Sequence, residues 1–116
     1  MSSLILVLPA LILAAPKHPA PAPAPQLSPE AQGFCASMGE EALAAAHRRD
    51  AGWRYIDEVD RLYTYNAVYH LSRDLFGFLL EMVHDTYASP SAFPELQQVV
   101  WTKICEQRLV ETPQSS

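Results

Sequence analysis

Apolar residues recur at intervals of three and four along most of the chain, and no stretch alternates with period two for long enough to form a strand. This spacing places apolar side chains on one face of an α-helix, whereas a half-buried strand requires strict alternation. Hydrophobic residues make up 49% of the chain and charged residues 18%, which is apolar enough for a packed core. The pattern therefore predicts an all-α fold.

The first predicted helix begins at Ser28-Pro29-Glu30. There a hydroxyl can cap the helix, and proline occupies a position whose N–H would have no partner. The helix ends near Gly52, which follows two arginines and can adopt the left-handed conformation that stops a helix. We therefore expect one helix between these two signals.

Two further apolar segments follow, from Trp53 to Tyr63 and from about Asn66 to Tyr87. The first is predicted to be a short helix in which Asp57 pairs with Arg61. The second is predicted to be the central, most buried helix, because its apolar stripe covers most of the helix circumference. Neither Gly nor Pro separates the two segments, so residues 53–87 are compatible with one helix or with two.

The last predicted helix starts at Pro94. Residues 88–94 contain two prolines and break the helical pattern, and the second proline then fits a first helical turn. A disordered tail is predicted for residues 113–116. Three or four helices over residues 28–112 predict a small antiparallel bundle.

Cys35 and Cys105 are the two cysteines of the chain and lie 70 positions apart, in the first and last predicted helices. In an exported protein they should be oxidised together, and a bridge that closes such a loop would stabilise the fold by roughly 4 kcal/mol. The alternatives are two reduced core cysteines and a reactive thiol with a histidine partner. No Cys-x-x-Cys motif is present, which favours a disulfide between the first and last helices.

The amino-terminal sequence indicates the cellular compartment of the protein. Leu4 to Ala15 form an uncharged apolar run that is too short to span a bilayer core of about 30 Å. Residues 1–15 are therefore interpreted as a signal peptide without a basic leading region, with a buried helix of an intracellular protein as the alternative. Residues 16–27, rich in Pro and Ala, predict an extended tether. We expect a periplasmic or secreted protein without a stable membrane span.

The charge balance bears on the class of partner. The formal charge is −5, from 8 Lys+Arg and 13 Asp+Glu. This acidic balance removes the electrostatic attraction that non-specific binding to nucleic acids and to anionic membranes requires. We therefore expect no nucleic-acid partner.

Aromatic residues are concentrated between residues 53 and 69, among many charged residues. Tyrosine and tryptophan offer large contact areas at low entropic cost and are enriched at protein interfaces. The candidate interaction surface consists of Trp53, Tyr55, Tyr65 and Tyr69, and filling of the core is the alternative role for these rings. A solvated acidic face is predicted for Asp57, Glu58 and Asp60.

Glu81-x-x-His84 matches half of the carboxylate–histidine arrangement that holds two iron or manganese ions in helical bundles. A complete site needs a second such pair and two more carboxylates, and no second Glu-x-x-His occurs. We therefore expect no metal, no other cofactor and no enzymatic activity. A metal-binding protein that uses Glu81 and His84 is the alternative from a different functional class.

The order Cys35, Arg49-Asp50-Ala51-Gly52, Tyr87-Ala88-Ser89-Pro90, Pro94 and Cys105 resembles a loose group of small exported helical proteins of proteobacteria that lack an assigned biochemical role. The resemblance covers about Phe34 to Gln107. It implies a periplasmic bundle closed by one disulfide, and it supplies no catalytic residues.

Together these features predict a small periplasmic protein that acts by protein–protein contact, as an inhibitor or an immunity-type binding module. A periplasmic chaperone activated by acid stress is the alternative within the same class. Four His and 13 acidic residues would make such a chain less negative at low pH.

Overall fold

The computed structural model describes residues 26–111 and contains four α-helices in that range. They are α1 (Pro29–Asp50), α2 (Tyr55–Tyr69), α3 (Arg73–Ala88) and α4 (Pro94–Glu111). No strand occurs within the described range, so the predicted all-α fold is confirmed. The apolar segment 1–15, most of the tether 16–27 and the tail 113–116 lie outside the described residues.

The first helix has the predicted boundaries. The Ser28 hydroxyl accepts a hydrogen bond from the Ala31 N–H at 3.1 Å, and Pro29 opens the helix. At the other end, Gly52 has a φ of 97° and donates its N–H to the Arg49 carbonyl at 3.0 Å. A left-handed glycine thus ends the turn after α1, as the sequence predicts.

Residues 53–87 form two helices, and the boundary differs from the predicted one. The predicted third helix begins at about Asn66, but Asn66 belongs to α2, which continues to Tyr69. His70 then adopts a left-handed conformation with a φ of 51°, and the Asn66 side chain accepts the Leu71 N–H at 3.0 Å. Ser72 caps α3 by accepting the Leu75 N–H at 3.2 Å. Side-chain capping therefore makes the break without glycine or proline.

The most extensive helix packing is between α1 and α4, which run antiparallel. Gly39 allows the close approach, because a methyl group there would overlap the Thr102 hydroxyl and lie 2.9 Å from the Gln98 carbonyl oxygen. Ala42 and Ala46 are also fully buried. Small side chains on α1 therefore bring the two helix backbones close together.

The prediction that the third helix is the most buried is wrong. On α3, the buried residues are Leu79, Met82, Val83 and Thr86, whereas α1 buries six residues. The difference arises because α1 packs closely on α4 and also contacts α3. Within the described range, no helix is both long and apolar enough to cross a membrane.

Cys35 and Cys105 form the predicted disulfide, with Cα atoms 5.4 Å apart. Both residues are buried, and no cysteine of the chain remains as a free thiol. The bond joins the amino-terminal part of α1 to the carboxyl-terminal part of α4, so it links the first and last helices. Such a bond is consistent with an oxidising, exported location.

Candidate functional site

All four residues of the predicted interaction surface are exposed rather than packed in the core. The exposed fractions are 43% for Trp53, 42% for Tyr55, 44% for Tyr65 and 63% for Tyr69. They form two groups, because ten residues of helix separate Tyr55 from Tyr65 by about 15 Å along the axis of α2. The structure therefore brings Trp53 together with Tyr55, and Tyr65 together with Tyr69.

The first group lies where the chain turns from α1 into α2, and we call it the corner cluster: Arg48, Trp53, Tyr55, His84 and Tyr87. The ring of Tyr55 meets the rings of Tyr87 and His84 edge-on, with centroid distances of 5.8 and 6.1 Å. The guanidinium of Arg48 lies 5.6 Å from the centre of the Trp53 ring. Three elements of the fold thus contribute to one aromatic surface.

Hydrogen bonds to the backbone hold Trp53 in place. Its N–H donates to the Arg48 carbonyl at 2.9 Å, and its carbonyl accepts the Tyr87 hydroxyl at 3.0 Å. Burial raises the pKa of Tyr87, which keeps this hydroxyl protonated and able to donate. The backbone of Trp53 is therefore held by α1 on one side and by α3 on the other.

Arg54 and Asp57 fix the start of α2 beside the cluster. The Arg54 N–H donates to the Asp57 carboxylate at 3.0 Å, and the Arg54 guanidinium binds the same carboxylate at 3.0 Å. The hydrogen bonds from Arg54 lower the pKa of the Asp57 carboxyl. The predicted pairing of Asp57 with Arg61 is wrong, because Asp57 caps its own helix instead.

Glu58 is fully buried, which corrects the prediction that it belongs to a solvated acidic face. Its carboxylate binds the guanidinium of Arg48 on α1 and, at 3.1 Å, that of Arg61 on α2. Arg61 also reaches Glu41 on α1 at 3.3 Å. A buried carboxylate is costly unless it is paired, and here the pairing locks α2 onto α1. Arg48 thereby joins this network to the corner cluster.

Arg49 holds the opposite side of the corner. Its position at a helix end and in the motif that carries the resemblance is evident from the sequence, but its contacts are not predicted. Its guanidinium donates to the carbonyls of Thr86 at 2.8 Å, Ser89 at 3.0 Å and Ala92 at 2.7 Å. These acceptors lie at the end of α3 and in the turn before α4. Arg49 therefore fixes the segment that carries Tyr87.

The second aromatic group is the pair Tyr65 and Tyr69, whose ring centroids are 4.5 Å apart. Tyr65 also borders a cavity of about 330 Å³ between α1, α2 and α3. Sequence reasoning identified the two tyrosines but not the cavity. Its walls come from helices that are distant in the sequence, so no local pattern marks it.

Glu81 and His84 line one pocket beside α4, but each of them contacts a different partner. Both carboxylate oxygens of Glu81 accept hydrogen bonds from Arg108, at 2.8 and 2.9 Å, and these bonds lower the pKa of the Glu81 carboxyl. His84 contacts Tyr55 in the corner cluster. Over residues 26–111, no group of three or more His, Cys, Asp or Glu side chains is placed to hold a metal ion.

Comparison with known proteins identifies no relative. No protein-family model, no curated protein and no solved structure matches this chain. The resemblance to small exported proteobacterial proteins therefore stays a prediction, and the function must be inferred from the geometry of the chain itself.

Proposed function

We propose that this protein is an exported binding module that recognises a partner protein through the corner cluster. The observation that carries the proposal is that Trp53 and Tyr55 are exposed although contacts within the protein restrain both residues. Hydrogen bonds hold the Trp53 backbone and Arg48 lies over its ring, while the Tyr55 ring packs edge-on against another ring of the cluster. Rigid tryptophan and tyrosine side chains near an arginine have the composition of interface hot spots. Because these contacts restrain the two residues before binding, less conformational entropy is lost on binding.

The charges around the cluster are already neutralised within the protein. Arg48 is paired with Glu58, and Arg54 is paired with Asp57. We therefore expect the partner to contribute an apolar side chain that packs on the two rings, and the affinity to depend weakly on salt. A small rigid scaffold of this kind suits an inhibitor or an immunity-type module.

The proposed compartment is the periplasm, and the disulfide supports it because such bonds persist in oxidising environments. Mass spectrometry of non-reduced protein from cell envelope and cytosolic fractions tests this. We expect Cys35 and Cys105 to be joined in envelope material. Recovery of the protein only from the cytosol, with both thiols free, would contradict export.

Binding is tested by placing a photo-crosslinking amino acid at Trp53 in cells that produce the protein. Phe93 is the matched control position, because it is an exposed aromatic residue in the turn before α4. We expect one discrete adduct from position 53 that is absent from position 93. The Trp53→Ala variant should lose the adduct formed from a crosslinker at position 55, whereas Phe93→Ala should keep it. Equal adduct patterns from positions 53 and 93, or no adduct from either, would refute the proposal.

A further inference from the structure

The cavity beside Tyr65 has the form of a small-molecule site. Its volume of about 330 Å³ lies at the lower end of the range for ligand pockets, and its lining combines leucines with a few polar groups. It opens near the carboxyl-terminal half of α2, about 15 Å along the helix from the corner cluster. The cavity is therefore separate from the proposed protein-binding surface.

The floor of the cavity is apolar. Met38, Leu62 and Leu79 form part of its lining and are buried in the core, and the half-buried Leu71 and Leu75 extend the apolar lining. An aliphatic chain placed there would exchange water for these side chains. Burial of apolar surface in this way favours binding.

The mouth of the cavity carries an excess of negative charge. Glu40, Glu41 and Arg61 line it, which gives two negative charges and one positive charge. The guanidinium of Arg61 is already occupied by Glu41 at 3.3 Å and by Glu58 at 3.1 Å. Within residues 26–111, no cation is paired with Glu40. The unbalanced charge at the mouth therefore favours a cation.

Tyr65 adds a second feature that suits a cation. Tyr65 lines the cavity, and its ring packs against the ring of Tyr69. The face of an aromatic ring attracts ammonium groups that approach within about 6 Å of its centroid. The aromatic wall and the acidic mouth thus favour the same sign of charge on a ligand.

We propose that this cavity binds a small aliphatic molecule that carries one ammonium group. The alkyl chain packs against the leucine-rich floor, and the ammonium group lies at the mouth near Glu40, Glu41 and Tyr65. A carboxylate ligand with the same alkyl chain is repelled by the negative charge of Glu40 and Glu41 at the mouth. Selectivity for the cation over an anion of equal size is therefore the distinguishing property of the site.

The test uses nuclear magnetic resonance titration of the ¹⁵N-labelled, oxidised protein with hexylammonium, hexanol and hexanoate. We expect saturable shifts of the Ser37, Leu71 and Leu75 amides with hexylammonium, with a Kd of about 0.1–10 mM, as is typical for so small a ligand. Hexanol should bind more weakly and hexanoate weakest. Equal or tighter binding of hexanoate, or shifts with hexylammonium that never saturate, would overturn the proposal.

Two variants test separately how the charge at the mouth and the space in the cavity contribute to binding. Glu40→Gln should weaken hexylammonium binding about two- to five-fold and leave hexanol binding unchanged, whereas the matched control Asp60→Asn removes an exposed acid elsewhere and should change neither. Ser37→Trp, at an exposed position on the rim, should block all three ligands. Thermal unfolding checks that each variant is folded. Unchanged hexylammonium affinity in Glu40→Gln or in Ser37→Trp would refute the assignment.

Discussion

The fully buried carboxylate of Glu58 on α2 binds the partly exposed guanidinium of Arg48 on α1. Arg48 also lies over the ring of Trp53, so the contact that locks the two helices together also positions the proposed binding surface. One side chain therefore links the packing of α1 and α2 to the proposed binding surface.

Replacement of Glu58 should destabilise the protein. We expect Glu58→Gln to lower the free energy of unfolding by about 1–3 kcal/mol, since Arg48 and Arg61 lose a charged partner but stay partly hydrated. Urea unfolding measures the change. The exposed acid Asp60 is the control, and Asp60→Asn should stay within about 0.5 kcal/mol of the wild type. Equal effects of the two variants would show that the Glu58 pairing is not a stabilising contact.

Replacement of either of two glycines of α1 by alanine should change the stability of the fold, in opposite directions. Gly39→Ala should destabilise the fold by about 1–3 kcal/mol, because the added methyl group overlaps Thr102 on α4. Gly33→Ala should stabilise it by about 0.5–1 kcal/mol, since nothing lies within 4 Å of the new Cβ and alanine has the higher helix propensity. Thermal unfolding of both variants under identical conditions compares them. A stabilising Gly39→Ala would contradict the close α1–α4 packing.

Loss of the disulfide should remove much of the stability. The bond spans a sequence separation of 70 residues, and the chain-entropy model assigns about 4 kcal/mol to a loop of that length. We expect the double variant Cys35→Ser, Cys105→Ser to unfold at a markedly lower urea concentration than the oxidised protein. Wild-type protein that is unfolded in the presence of a reductant should unfold at the same urea concentration as the double variant. A shift of less than about 1 kcal/mol would mean that the helices hold together without the bond.

The ion pair between Glu81 and Arg108 should contribute to the pH dependence of stability. Hydrogen bonds from Arg108 hold the pKa of the Glu81 carboxyl below its ordinary value of 4.5. A lowered folded-state pKa means that the contribution is present above pH 4.5 and is lost as the pH falls through the lowered pKa. The gap in unfolding free energy between wild type and Glu81→Gln should therefore shrink from pH 7 to pH 3. A gap that is constant or widens on acidification would contradict this assignment.

Local chemistry explains which features the sequence predicts correctly. Ser28, Gly52 and Pro94 act through capping or through backbone conformations that their neighbours hardly influence, so the helix boundaries there follow from the residues alone. The disulfide also follows from the residues alone, because a chain with two cysteines has one intramolecular pairing available.

Two features that the sequence does not predict have different causes, one local and one tertiary. The Asn66 side chain supports the left-handed conformation of His70, and no glycine in the sequence indicates this conformation. Glu58 lies four residues before the buried Leu62, and this spacing places both on one helix face. That spacing alone does not reveal the arginine of α1 that makes burial of the carboxylate possible.

The aromatic residues illustrate a related difficulty. Sequence reasoning selects Trp53, Tyr55, Tyr65 and Tyr69 from their density, but density does not distinguish a core from a surface. Other side chains, among them the buried Trp101 of α4, fill the core instead, and the four rings remain outside. Only the assembled helices show that the four residues belong to two separate surfaces.

The bond between Cys35 and Cys105 makes a covalent circle that contains all of α2 and α3. A protease that cuts once in the exposed turn at residues 70–72 would therefore release no fragment. The cut protein would consist of two chains joined by the disulfide bond, and the two chains would separate only after that bond is reduced.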